Sequence, residues 1–317
     1  VGRPRVLITG ASGLLGAHLM VALSRRYEVM GVDRHSWWGD EAVKVLVGDL
    51  ESSEFLQQAM RAAAPDILLH CAAMTNVDAC ERDPARAYAA NAALTRELVR
   101  ALPARCLAVY ISTDSVFSGD VPFATEDDAP GPRTIYGRSK LEGEQGVVQA
   151  TDHHLIVRTN FYGWSSGRKT TSGEWLYRAL AEQQPVTLFT DVFFTPIYVV
   201  DLAQRLVRLL AADAQGIVHI GGRERLSKHE FGRLMAELGG FGMDRVRTGS
   251  VKDAPLPAPR PRDVSLNSQR CARLTGLEVP EVRAGLQRFL ADRGRPLTAR
   301  VTVDAAGSDT PVVRRHA

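Results

Sequence analysis

A doubly wound, parallel α/β sheet of Rossmann type, followed by a smaller and less regular C-terminal part, is predicted by three features of the 317-residue sequence. Short apolar runs alternate with helix-period segments through the first half. The runs are continuous instead of alternating with polar residues, as strands covered by helices on both faces are. The first run leads through a glycine-rich turn, Gly10 to Gly16, straight into the first helical segment.

The elements follow in order. Arg5 to Thr9 is an apolar run of strand length, and Leu15, Leu19 and Leu23 then recur on one helical face. Glu28 to Val32 and Val43 to Val47 are the next strands, and Ser53 to Ala63 is the next helix. Asp66 to His70 is a fourth strand introduced by Pro65. Leu94, Leu98 and Leu102 mark a helix that stops at Pro103. Leu107 to Ile111 is the fifth strand and Leu155 to Val157 the sixth. The polar stretch Ser165 to Gly173 reads as a loop and a domain transition. Val186 to Phe189 and Phe193 to Val200 read as extended. Leu202, Leu206 and Leu209 mark one helix, and Phe231, Leu234, Met235 and Leu238 mark another. Lys252 to Pro261, with four prolines, reads as an extended loop or linker. The expected organisation is a Rossmann domain over 1–160, with 185–215 returning to it. A second domain covers 161–300, and 301–317 is a peripheral or disordered tail.

Composition narrows the function. Hydrophobic residues make up 45% and charged residues 24%, an ordinary globular balance. The net charge of +3 is too small to argue for nucleic acid or an anionic membrane as a partner. No apolar run approaches the roughly 18 residues that span a bilayer. The N-terminal residues show no signal-peptide pattern, so a cytoplasmic location is expected. Cys71, Cys80, Cys106 and Cys271 form no Cys-x-x-Cys pair, and no histidine cluster has metal spacing. Reduced thiols and no metal are expected.

Three motifs carry chemistry. In Gly10-Ala-Ser-Gly13-Leu-Leu-Gly16 the tight turn needs the φ freedom of Gly10. Gly13 lets the backbone approach a pyrophosphate, and Gly16 lets helix and strand pack closely. An anion would then lie on free N–H groups at the helix N-terminus. Asp33 ends the second strand, where an acid accepts hydrogen bonds from the adenosine ribose and slightly favours NAD over NADP. Arg34 beside it could instead pair with a 2′-phosphate. Asp49, after the third strand, could meet the adenine amino group or serve as a turn residue. In Tyr136-Gly-Arg-Ser-Lys140 the phenol and ammonium share one helical face, and the ammonium is expected to lower the phenol pKa towards working pH. Ser112 and Thr113 end the fifth strand, where a hydroxyl can hold a carbonyl oxygen beside the tyrosine.

With these motifs the sequence resembles the extended short-chain dehydrogenase/reductase superfamily. Within it, the chain is most similar to the dTDP-4-dehydrorhamnose reductase family of nucleotide-sugar 4-ketoreductases. The likeness spans roughly Val6 to Leu290. It is carried by His70 to Glu81 (HCAAMTNVDACE), Ile111 to Gly119 (ISTDSVFSG), Ile135 to Glu144 (IYGRSKLEGE) and Val157 to Thr159 (VRT). The resemblance implies an NAD(P)H-dependent reductase of a nucleotide-linked, dTDP-type 4-keto-deoxysugar, with a C-terminal substrate-binding domain. Tyr136 would donate the proton, Lys140 would hold the nicotinamide ribose, and Thr113 would bond the carbonyl. The cofactor NAD or NADP would meet Gly10, Ser12, Gly13, Leu14, Leu15, Gly16, Asp33, Arg34, Asp49, Leu50, Cys71, Ala72 and Ala73, with Tyr136 and Lys140. The sugar would meet Thr75, Val77, Thr113, Asp114, Asn160 and Phe161, while Arg260 reaches the diphosphate, with Arg262 as its alternative. A homodimer is allowed by the resemblance without being required. An epimerase of the same superfamily and a non-catalytic, cofactor-binding regulatory subunit stay open as rival readings. Two departures stand out. Ser115 occupies a position where the family usually has Tyr. Asn160-Phe161-Tyr162, with Trp164 nearby, replaces the usual Trp after Val-Arg-Thr, and both positions are expected to line the sugar pocket.

Overall fold

A computed structural model describes residues 2–37, 43–165, 167 and 169–301. The expected tail therefore lies, apart from Val301, outside the described residues.

Seven strands form one sheet: β1 (Arg5–Thr9), β2 (Glu28–Asp33), β3 (Lys44–Val47), β4 (Ile67–His70), β5 (Leu107–Ile111), β6 (His154–Thr159) and β7 (Gly216–Ile220). Their order is β7-β6-β5-β4-β1-β2-β3, and every adjacent pair is parallel. The helices are α1 (Leu14–Ser24), α2 (Ser53–Ala63), α3 (Val77–Arg82), α4 (Pro84–Tyr88), α5 (Leu94–Arg100), α6 (Ile135–Ala150), α7 (Ser172–Ala181), α8 (Val199–Ala211), α9 (Lys228–Gly239), α10 (Gln269–Thr275) and α11 (Val282–Ala291). A π-helical turn, Ala89–Ala93, joins α4 to α5.

The continuous apolar runs arise because both sheet faces are covered. Successive strand residues point to opposite faces. Val6 and Ile8 join Leu15 and Leu19 of α1 and Leu202 and Leu206 of α8 in the main core. Leu7 packs the other way, against Leu56 of α2 and Leu98 of α5. Further along that face, Tyr110 and Ile156 meet Val147 of α6. The strand order reverses between β1 and β4, which opens a crevice at their carboxyl ends.

Outside this sheet, Val186–Phe189 pairs in parallel with Val246–Gly249, and Phe193–Phe194 pairs antiparallel with Leu226–Ser227. Two local expectations are corrected. Phe193 to Val200 is not one extended segment: Ile197–Tyr198 is a short strand and α8 begins at Val199. The residues up to Gly173 are not all loop, because α7 starts at Ser172 behind a capping box of Thr171 and Glu174. The Trp164 ring stacks on Phe289 with centroids 4.5 Å apart, and its Nε1 donates to the Phe289 carbonyl at 2.6 Å.

Candidate active site

The glycine turn sits in the crevice between β1 and β4. Gly10 has φ +67°, and a Cβ there would lie 2.8 Å from the Ala72 backbone nitrogen. Only glycine lets the turn after β1 lie this close to the segment Cys71-Ala72-Ala73 after β4. A Cβ on Gly16 would lie against the Gly10 carbonyl oxygen, so the first helical turn also rests on the loop. Gly13 caps α1 with no side-chain hydrogen bond to the first turn, which leaves N–H groups of that turn without a capping side chain. The Leu15 and Leu50 side chains are buried in the two cores, and Leu14 packs on the first from its edge.

Asp33 has a local task. Its Oδ2 accepts from the Ser12 backbone N–H at 3.0 Å and its Oδ1 from that of His35 at 3.1 Å. The carboxylate ties the glycine turn to the end of β2, and Arg34 beside it is exposed. Asp49 is exposed and caps a turn through the Glu51 N–H at 3.1 Å. Behind the crevice, Thr9 Oγ1 and His70 Nδ1 are 2.7 Å apart, and the Thr9 hydroxyl accepts from the Ala72 N–H at 3.3 Å.

Thr113, Tyr136 and Lys140 converge at the carboxyl end of β5. Thr134 caps α6 by accepting from the Gly137 N–H, which sets Tyr136 in the first turn. The Thr113 hydroxyl and the Asp114 carboxylate both act on the Tyr136 phenol. Lys140 is fully buried, donates to the Ile111 carbonyl at 2.7 Å and lies 4.0 Å over the Tyr110 ring. Burial pulls this ammonium down to about 7. The expected lowering of the phenol is corrected. Burial pushes Tyr136 above its ordinary value, the Asp114 charge adds to this, and the Thr113 hydroxyl offsets it only in part. At neutral pH the phenol therefore keeps its proton.

Asp114 is buried beside Thr113. Its Oδ1 accepts from Thr113 Oγ1 at 3.0 Å and from Ser115 Oγ at 3.1 Å, and its Oδ2 from Asn160 Nδ2 at 2.6 Å. The residues that replace the family's two aromatic rings are thus hydrogen-bonded to one carboxylate. Phe161 pairs with Ile197 and packs on the main core from its edge. Val77 opens α3 and is half-buried; Thr75 is exposed and accepts from Lys169 Nζ at 3.1 Å. Arg260 reaches the site, with its Nη2 2.8 Å from Asp78 Oδ1 and its Nη1 donating to the Ala258 carbonyl. Arg262, the alternative, is more exposed and lies 3.9 Å from Asp191.

Two residues were missed by the sequence reading. Asn91, in the π-helical turn, accepts from the Met74 N–H at 2.8 Å and donates to the Met74 carbonyl and to Ser139 Oγ at 3.0 Å each. It locks the segment after β4 to α6. Lys228, at the start of α9, lies 3.2 Å from the centroid of the Phe194 ring. The charges of Asp114 and Arg260 both act on it, and burial lowers it to about 8. Its signal was the capping box Ser227-x-x-Glu230 ahead of Phe231, which fixes where α9 begins.

The model of the RmlD substrate binding domain matches residues 4–294. The chain belongs to this family. It thereby falls within the extended short-chain dehydrogenase/reductase superfamily, among NAD(P)-dependent oxidoreductases of the dTDP-4-dehydrorhamnose reductase type. A Mycobacterium tuberculosis protein named dTDP-4-dehydrorhamnose reductase is 34% identical over 283 residues, covering 86% of this chain and 88% of its own length. The Haloferax volcanii protein named "Probable low-salt glycan biosynthesis reductase Agl14" is 30% identical over 284 residues, covering 88% of this chain and 95% of that protein. The crystal structure of the Bacillus anthracis dTDP-4-dehydrorhamnose reductase in complex with NADP superimposes with a TM-score of 0.81 at 30% identity, covering 92% of this chain and 100% of that one. Among the described residues no helix is long and apolar enough to cross a membrane. None of their His, Cys, Asp and Glu side chains form a group of three or more that could hold a metal ion.

Proposed function

We propose that the chain reduces the 4-keto group of a nucleotide-linked deoxysugar, with Tyr136 giving the proton. The observation that carries this reading is the convergence of Thr113 at the carboxyl end of β5 with Tyr136 in the first turn of α6, and Lys140, bonded to the Ile111 carbonyl, one helical turn further along. A phenol that keeps its proton at neutral pH suits the donor role in the reducing direction. In this reading the Tyr136 hydroxyl donates to the carbonyl oxygen, and the Thr113 hydroxyl turns from Asp114 Oδ1 to do the same.

The crevice fits a dinucleotide. Gly10 allows a close approach to Ala72, and the first turn of α1 has no capping side chain. A reduced nicotinamide bound there would supply the hydride. NAD and NADP are both compatible: Asp33 disfavours a 2′-phosphate by charge, while exposed Arg34 favours one. Lys140 would hold the nicotinamide ribose, and the Cys71–Ala73 backbone would line the cofactor. Arg260, held by Asp78 and the Ala258 carbonyl, would take the substrate diphosphate. Ser115 and Asn160 present polar groups to the sugar where the family has aromatic rings, beside Asp114, to which both are bonded.

The test is oxidation of NADH and NADPH against a panel of nucleotide-linked 4-keto-6-deoxysugars. Turnover with one or more is expected. Cofactor binding with no turnover on any of them would instead favour a regulatory subunit.

A further inference from the structure

Behind Lys140 lies a buried charge network that the proposed chemistry does not use. Glu144 follows Lys140 by one turn of α6, and its side chain and that of Arg158 on β6 are only 4% and 3% exposed. Arg158 grips both carboxylate oxygens, at 2.8 Å from Nη2 to Oε2 and 3.1 Å from Nε to Oε1. Ser112 Oγ donates to Oε1 at 2.5 Å. On its far side Arg158 meets His219 Nε2 of β7 at 3.5 Å, and His219 Nδ1 lies 3.0 Å from the Ala124 carbonyl. The network therefore joins the helix that carries Tyr136 and Lys140 to the strand end that carries Thr113.

A buried ion pair is weak evidence for stability, because desolvation offsets its Coulomb gain. The placement of this one suggests another use. Lys140 follows Tyr136 by one turn of α6 and is faced by Glu144 from its own helix, by Tyr110 and the Ile111 carbonyl from β5, and by His70 and Cys71 at the end of β4. Burial holds His70 at about 3 and the Cys71 thiol at about 12, so both are neutral at pH 7. It also holds both phenols in their neutral form. Glu144 is the one carboxylate acting on the Lys140 ammonium among the described residues.

We propose that Glu144 is a positioning residue: paired with Arg158 it clamps Ser112, and so Thr113, against α6, and it places a negative charge one helical turn from the Lys140 ammonium. The inference rests on the reductase reading only for the task Lys140 performs. Its charge can be followed without a sugar, through NADPH binding by nicotinamide fluorescence as a function of pH. The ionisation of the cofactor's own 2′-phosphate is common to every variant.

In the wild type, affinity should fall as pH rises through the lysine ionisation. Glu144→Gln keeps an acceptor for Ser112 but removes the charge, so the midpoint should move down by at least about one pH unit. Glu144→Gln leaves Arg158 unpaired and could unfold the protein. The double variant Glu144→Gln/Arg158→Met carries no unpaired charge and should move the midpoint in the same direction. Glu144→Asp should bring it back towards the wild-type value, because it restores charge without restoring the original packing. A midpoint unchanged in both the single and the double variant, with NADPH still bound, would overturn the inference. So would wild-type affinity that does not depend on pH. A wild type with the expected midpoint that reduces no keto-sugar would instead overturn the reductase reading alone.

Discussion

Gly10 and Gly276 share a backbone angle, φ +67°, and differ in what surrounds them. Nothing lies within 4 Å of a Cβ built on Gly276, which follows the end of α10, whereas one on Gly10 would stand 2.8 Å from the Ala72 nitrogen and 3.0 Å from its Cα. Gly→Ala at either position places an L side chain in the left-handed region, at a cost of about 1–2 kcal/mol. That is worth roughly 2–6 °C in Tm for a domain of this size. Gly276→Ala should show this cost and nothing more. Gly10→Ala must also push the turn away from β4, because a backbone atom cannot swing aside as the end of a flexible side chain can. Losing about 1.4 kcal/mol of binding corresponds to a tenfold rise in Kd. We expect at least that for NADPH in Gly10→Ala, with Kd unchanged in Gly276→Ala. Melting curves and nicotinamide fluorescence titrations on the matched pair measure both. Equal melting shifts and equal Kd values in the two variants would refute the claim that the crevice is built on the Gly10–Ala72 approach.

Other outcomes follow from the same geometry. Arg260→Ala should raise KM by about tenfold or more with kcat little changed, if the diphosphate is held equally in ground and transition states; a selective fall in kcat would place Arg260 in the chemistry. Asp33→Asn keeps one accepting oxygen, which can still take the Ser12 N–H, and gives up the bond from His35 with the charge, so it should shift preference towards NADPH; unchanged kcat/KM ratios for the two cofactors would show that Asp33 does not read the ribose. His18, His70 and His219 are held neutral by burial, at about 4, 3 and 3. Their folded values lie below the ordinary 6.5, so the unfolded chain binds more protons, and the stability they contribute is full above 6.5 and lost as pH falls towards 4 and 3. Each should cost about 1–2 kcal/mol between pH 7 and 5, read as falling urea midpoints; equal midpoints at the two pH values would contradict their buried neutral state.

The parts legible in the sequence are those where one residue type has one physical use. Leu107–Ile111 is a strand because a fully buried parallel strand is apolar throughout, and Ser53–Ala63 is a helix because Leu56 and Met60 share one face. The strand Gly216–Ile220 escaped because it is an edge strand with His219 in its middle, a residue that turns out to serve Arg158. Val199 and Val200 read as extended, but packing of the α8 apolar face overrides their β-branched preference. At the site, Tyr136, Lys140 and Thr113 were recognisable by spacing, and the structure brings them together. Asn91 and Lys228 were not, because their placement depends on a π-helical turn and on the packing of the start of α9 against Phe194. The state of the phenol was misjudged for a related reason. Spacing reports that Lys140 is one turn away, but it does not report that burial and the Asp114 charge raise the phenol.

The most direct test of the central claim is steady-state turnover of Tyr136→Phe on a keto-sugar that the wild type reduces, with NADPH affinity measured alongside. The substitution keeps the ring and removes only the hydroxyl. If the phenol delivers the proton, kcat falls by roughly 10²–10⁴, and Kd for NADPH stays within about twofold. Turnover equal to that of the wild type, with the cofactor bound as before, would contradict the account.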